Sequence, residues 1–252
     1  NLGDGTYFVT VTDASSCCAT DTITLTAPPR FQIMTSQTSV SCHGGSDGTA
    51  TIVVTGATPP YTYSWASGAM TPTATGLNAN FHFVSVTDSK GCGATTFVQV
   101  LEPPLLTAST SGIANVSCFG GSDGTATATA QGGVGPYSFL WSNAQITPQA
   151  QNLMAGVYTV TVTDSKGCTT TTQATITEAP QLSATTTTVQ TKCFGSADGT
   201  ATVTPGGGTG PYTFKWSDPL QQATATATGL SAQSYTVTVT DAKGCSITAT
   251  AQ

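Results

Sequence analysis

Residues 156–168 read Gly-Val-Tyr-Thr-Val-Thr-Val-Thr-Asp-Ser-Lys-Gly-Cys, and the chain writes this sentence four times, over Tyr7–Cys17, His82–Cys92, Tyr158–Cys168 and Tyr235–Cys245. Tyr158, Val160 and Val162 alternate with Thr159, Thr161 and Thr163, a period of two that marks a strand with one buried and one solvated face. Asp164-Ser165-Lys166-Gly167 supplies a turn with Asp first and Gly last, so a hairpin follows and Cys168 opens its second strand. The four cysteines that end these stretches are 75, 76 and 77 residues apart. Such a period constrains the chain to a tandem array of small β domains. Its parts are 1–29, the tail of an incomplete repeat; 30–104 and 105–180, two full repeats; and 181–252, a repeat lacking the end of its last strand.

Composition narrows the partners. Charged residues make up 7% of the 252 and the net charge is −6, so the chain lacks the basic patch that neutralises a phosphate backbone, and nucleic acid is excluded as a partner. No run of about 18 apolar residues exists, so nothing here is expected to insert in a membrane. Ala27-Pro28-Pro29, Glu102-Pro103-Pro104 and Glu178-Ala179-Pro180 close successive repeats, and proline makes these short, stiff junctions.

The cysteines recur in pairs: Cys42 with Cys92, Cys118 with Cys168, and Cys193 with Cys245, at intervals of 50, 50 and 52 residues. Two cysteines per small domain at a fixed interval read as one disulfide within each repeat and none between neighbours, and hence as an extracellular protein. Closing a loop of this size contributes about 4 kcal/mol. Zinc, the competing reading, needs four closely spaced ligands, and no Cys-x-x-Cys or histidine pair supplies them. Cys17 aligns with the hairpin cysteines and Cys18 is extra; the sequence leaves their fate open.

Each full repeat also carries a glycine-rich turn, Cys42-His43-Gly44-Gly45-Ser46-Asp47-Gly48 and its counterparts from Cys118 and Cys193. A phosphate-binding loop would precede a helix; here Thr-Ala-Thr, a strand, follows. Next comes an aromatic row, Tyr61, Tyr63 and Trp65, repeated as Tyr137, Phe139, Trp141 and Tyr212, Phe214, Trp216. These rows read as core, with a sugar-stacking platform as the alternative. With Tyr158 and Tyr235, the three Trp residues form the expected core set. Six or seven short strands per repeat, a Cys…Trp…Cys order and no amphipathic helix give an all-β, Ig-like (PKD-like) sandwich, although the first Cys precedes the second strand. Asp13, Asp88, Asp164 and Asp241 recur at one hairpin, Asp47, Asp123 and Asp198 at a turn, and Glu102 and Glu178 at junctions. They cap their own turns or, alternatively, bind calcium. No metal site or cofactor is assigned, and two unaligned histidines with no recurrent nucleophile argue against an enzyme.

Taken together, Cys-Phe-Gly-Gly-Ser-Asp-Gly-Thr-Ala-Thr, Gly-Pro-Tyr-Thr-Phe-x-Trp, Ala-Thr-Gly-Leu, Tyr-Thr-Val-Thr-Val-Thr-Asp-x-x-Gly-Cys and Thr-Glu-x-Pro resemble the SprB repeat, found in tandem in giant surface adhesins of gliding Bacteroidota. The departures are His43, His82, Gln151-Asn152 and the added Cys18. The resemblance implies an extracellular or cell-surface setting, very long parent proteins and a part in attachment or gliding. A structural stretch of a surface fibre is therefore expected, each repeat advancing it by roughly 35–45 Å. Its partners would be the continuing polypeptide at both ends and other copies in the fibre. The alternative is a module binding glycans or a partner through loops such as Gly132-Gly133-Val134-Gly135. Outward Thr159, Thr161, Thr163, Thr236, Thr238 and Thr240 are glycosylation candidates. So is Thr22, in Asp21-Thr22-Ile23, the one match to the Asp-Ser/Thr-apolar pattern that the resemblance implies.

Overall fold

The computed structural model describes residues 1–252, which form two compact units, Asn1–Leu105 and Leu106–Gln252. In the first unit, β1 (Gly5–Thr12) and β2 (Cys18–Leu25) make a hairpin, followed by β3 (Gln32–Thr38), β4 (Gly48–Thr55), β5 (Thr62–Trp65), β6 (Thr73–Leu77), β7 (Asn80–Thr87) and β8 (Gly93–Val100). The second unit holds two repeats of the same plan. One comprises β9 (Thr107–Ala114), β10 (Gly124–Gln131), β11 (Ser138–Trp141), β12 (Gln149–Leu153), β13 (Gly156–Thr163) and β14 (Thr169–Ile176). The other comprises β15 (Ser183–Val189), β16 (Gly199–Gly206), β17 (Thr213–Trp216), β18 (Thr226–Leu230), β19 (Tyr235–Thr240) and β20 (Ser246–Ala251).

Each full repeat pairs its strands in two antiparallel three-stranded sheets. In the middle repeat these are β9-β10-β12 and β11-β13-β14. Since the third strand crosses to the second sheet, this is the A-B-E/C-F-G order of an Ig-like sandwich without the D strand. The organising stretch is β13, central in its sheet, and Val160 and Val162 are completely buried. Trp141 stands opposite Val160 in register and is buried at 1% exposure, against Ala126 and Ala128 from the facing sheet. Small alanines on β10 leave room for the indole, and its Nε1 donates to the Thr147 carbonyl at 3.0 Å. Trp65 and Trp216 repeat the arrangement, donating to Thr71 and Thr224. Tyr235 is buried, whereas Tyr158 is half-buried at the core edge.

A corner bond of the tyrosine-corner kind, from a ring to a residue four back, recurs in every copy. The Tyr158 hydroxyl donates to the Met154 carbonyl at 3.1 Å, and Tyr7 to Gly3 at 2.9 Å. In the first full repeat His82 Nε2 lies 2.9 Å from the Asn78 carbonyl, also four residues back, so the departure from Tyr keeps the bond. Tyr235 reaches Ser231 instead.

Alternation puts the Thr rows outward, but only Thr22 and Thr236 of the glycosylation candidates are exposed. Thr159, Thr161, Thr163, Thr238 and Thr240 are half-buried, because β13 and β19 are central strands whose outer face is shaded by the flanking strands. The β1–β2 hairpin has no second sheet over it, and Val9 and Val11 are 54% and 66% exposed.

Trp216→Ala is expected to cost the third repeat about 3–5 kcal/mol. Denaturant unfolding of the full chain, followed by the fluorescence of the remaining Trp residues and by circular dichroism, should show an early transition absent from the parent; unchanged midpoints would contradict this core.

Candidate functional site at the ends of the repeats

The two ends of a repeat are built by different carboxylates. At the near end Asp164 is buried, at 5% exposure. Its Oδ1 accepts the N–H groups of Lys166 and Cys168 at 2.8 and 2.9 Å, which fixes its own turn. Its Oδ2 accepts Val134 N–H at 2.8 Å and so ties the Gly132–Gly135 loop to the hairpin. Asp88 and Asp241 make the same three bonds, with Thr58 and Thr209 as the loop donors. In the second unit glycines permit this close approach, since a Cβ on Gly133 or Gly208 would lie 2.6 or 2.8 Å from the Asp Oδ2; in the first full repeat Ala57, at φ +51°, takes the place, and the loop bond is longer, at 3.1 Å. Burial pushes each of these carboxyl groups up, but the converging N–H bonds outweigh it and hold all three below the usual Asp value. The oxygens considered for calcium are thus engaged by backbone donors, and no cluster of three or more metal-ligating side chains forms.

At the far end lies the glycine-rich turn. Gly121 N–H donates to the Cys118 carbonyl, and Gly120 adopts φ +70°. Asp123 Oδ1 accepts Ser117 N–H at 2.9 Å, and Glu178 reaches back to accept Gly120 N–H at 2.6 Å. Glu102 does the same for Gly44 at 2.8 Å, and His43 stands 3.3 Å from its other oxygen. The glutamate of Thr-Glu-x-Pro is therefore a cap on the turn that bears the first cysteine. Its spacing was visible in the sequence; its partner, 58 residues away, was not.

These two ends determine the disulfides and correct the expected pairing. Val116 N–H donates to the Thr177 carbonyl at 3.0 Å, so Cys118 sits beyond the last residue of β14, while Cys168 immediately precedes its first. Eight strand residues at about 3.3 Å each put roughly 25 Å between them, far beyond the ~7 Å limit on Cα separation in a disulfide. Cys118 instead bonds to Cys245, 127 residues on in the next repeat, with a Cα separation of 5.6 Å. The far end of one repeat meets the near end of its successor. The cleft there is lined by Phe119, Pro180, Leu182, Gly208 and Ile247 as well as the two cysteines. Cys193, expected to hold Cys245, is a free, exposed thiol, and so are Cys92, Cys17 and Cys18. Cys42 and Cys168 are bonded cysteines.

Since the aromatic rows are turned into the cores, they offer no platform. Aromatic faces reach solvent elsewhere, at Phe81, Phe83 and Phe97 on the outer face of β7–β8, whose centroids are 5.3 and 5.9 Å apart. No helix is long and apolar enough to cross a membrane.

Comparison with known families finds the SprB repeat three times, at residues 34–70, 110–145 and 185–221. Among proteins of curated function, none matches significantly. Of solved structures, the three N-terminal domains of the Highly Immunogenic Outer Capsid protein (Hoc) of bacteriophage RB49 align at TM-score 0.46 and 14% identity, over 88% of this chain and 97% of that one. A structure described as the basis for Dscam isoform specificity aligns at TM-score 0.28 and 11% identity, over 98% and 79%.

Because Asp164 and Asp241 are held below the ordinary Asp value, the fold favours their charged form. Their contribution is present above the unfolded pKa, about 3.9, and is lost as pH falls through the lower folded value. The melting temperature should be level from about pH 7 to 5 and drop below about pH 4. Changing both to Asn should lower it at pH 7 and flatten the acid limb. An acid profile identical to the parent's would contradict this role.

Proposed function

We propose that this chain, which carries three SprB repeats, is a non-catalytic, tension-bearing segment of an extracellular surface fibre used in attachment or gliding. The observation that carries the reading is the Cys118–Cys245 bond between successive repeats. Pulled from its ends, a chain bonded in this way passes load from residue 118 through sulfur to residue 245. Most of both sandwiches lies outside the load path. A disulfide within a single repeat would protect that repeat alone and leave the junction dependent on non-covalent contacts. Short proline junctions support the same reading: Gly208 N–H donates to the Pro180 carbonyl at 2.8 Å, and Ala57 N–H to that of Pro29 at 2.6 Å, so the linker backbone is bonded to the loop it enters. Hydroxyl-rich faces and few charges suit a module whose work is reach.

Single-molecule stretching tests this directly. The 127 residues spanned by the bond, at about 3.3–3.6 Å each, amount to roughly 430 Å of contour. Reductant should release at least that length beyond the maximum extension of the oxidised chain. Equal contour lengths in the two states would overturn the load-path reading.

A further inference from the structure

We infer that the outer face of the β5–β7–β8 sheet carries a saccharide-binding site, in which Phe81, Phe83 and Phe97 stack on the C–H face of a neutral sugar and Ser85, Thr95 and Gln99 bond its hydroxyl edge. The inference adds a ligand to the first full repeat and does not require a load-bearing role.

The rings stand there by register. Alternation along β7 turns Val84 and Val86 into the core and Phe81, Phe83 and Ser85 outward; along β8 it buries Val98 and Val100 and turns out Thr95, Phe97 and Gln99. Phe83 lies opposite Phe97, Phe81 opposite Gln99 and Ser85 opposite Thr95. Phe97 packs against both rings of β7, with centroids 5.3 Å from Phe81 and 5.9 Å from Phe83 and interplanar angles of 78° and 58°. Edge-to-face and tilted contacts of this kind hold the rings in place before any ligand arrives, so little side-chain freedom is lost on binding. The three rings nevertheless remain 48%, 60% and 51% exposed.

The sandwich does not need them. The equivalent positions are Val157, Thr159 and Gln173 in the middle repeat and Ser234, Thr236 and Thr250 in the third. In the middle repeat Gln173 Nε2 donates to Thr159 Oγ1 at 3.2 Å, across the cross-strand pair that Phe97 and Phe83 occupy in the first. The same strand order therefore forms with polar side chains at this place, and the aromatic cluster is an addition confined to one repeat.

The surroundings select the occupant. Three half-exposed phenyl rings offer roughly 300 Å², well short of the about 800 Å² that each partner buries in a stable protein–protein interface. That area suits a small ligand and not a second copy of the chain. None of the side chains that β5, β7 and β8 turn outward is charged, so the sheet has nothing to pair with a phosphate, sulfate or carboxylate. It does have apolar rings bordered by two hydroxyls and an amide, groups that both donate and accept hydrogen bonds. A pyranose is the complement: its C–H groups gather on a face and its hydroxyls surround the edge. An apolar wall with a few convergent polar groups is how small-ligand sites obtain both affinity and orientation.

The test titrates the full chain with maltohexaose, cellohexaose and mannohexaose, read by calorimetry and by the ring resonances of phenylalanine-labelled protein. Saturable binding of at least one is expected, with shifts at Phe81, Phe83 and Phe97. Phe83→Thr combined with Phe97→Gln installs the pair that the middle repeat already carries, so the circular dichroism should be unchanged while binding weakens by about tenfold or more. No saturable binding of any of the three sugars, shifts confined to other phenylalanines, or full binding by the double variant overturns the inference. Retention of the parent on phosphatidylcholine vesicles in place of sugar binding, or parent dimers that the variant lacks, would assign the face to a lipid surface or a second copy and overturn it equally. Each of these results leaves the stretching experiment on Cys118–Cys245 unaffected.

Discussion

A single eight-residue strand separates the two cysteines of a repeat, and much of the architecture follows from that separation. Cys118 lies past the far end of β14 and Cys168 just before its near end, so neither can serve the other. Each must be satisfied from outside its own sandwich or stay reduced. In the second unit the far end of one repeat abuts the near end of the next, and the Cys118–Cys245 bond forms where they meet. The sandwich interior must then hold without the inter-sheet disulfide of antibody domains. It does so with Trp141 packed on alanines and valines, its ring nitrogen bonded to backbone.

The ends are made rigid by carboxylates acting on backbone. Asp164 joins loop to hairpin at one end, and Glu178 caps the glycine turn at the other. Each spends its oxygens on N–H groups, which orients the adjacent cysteine. Substitution is accommodated where the bond survives: His82 satisfies the corner carbonyl that tyrosine reaches elsewhere.

The strands and their faces were legible because alternation is local. Val160, Val162 and the Thr residues between them announce a two-faced strand, and the Asp-x-x-Gly turn announces its hairpin. The Ig-like order was legible for the same reason, from strand count and the Trp in the third strand. Disulfide pairing was not, because recurring intervals of 50, 50 and 52 residues record repetition without recording which end of the sandwich each cysteine occupies. One signal was present: the first cysteine precedes the second strand instead of lying within it, so it belongs to an end turn. Exposure along β13 was misjudged because alternation assigns a face, whereas shading depends on the strands alongside, and those are distant in sequence. The 58-residue reach of Glu178 to Gly120 escaped for the same reason.

In the second unit the two repeats are bonded to each other and not within themselves. The measurement that bears on it most directly is a peptide map of the oxidised chain, digested without reductant after free thiols are blocked. It should yield a peptide pair linked through Cys118 and Cys245, with Cys193 recovered in blocked form. A pair linking Cys118 to Cys168, or Cys193 to Cys245, would contradict it.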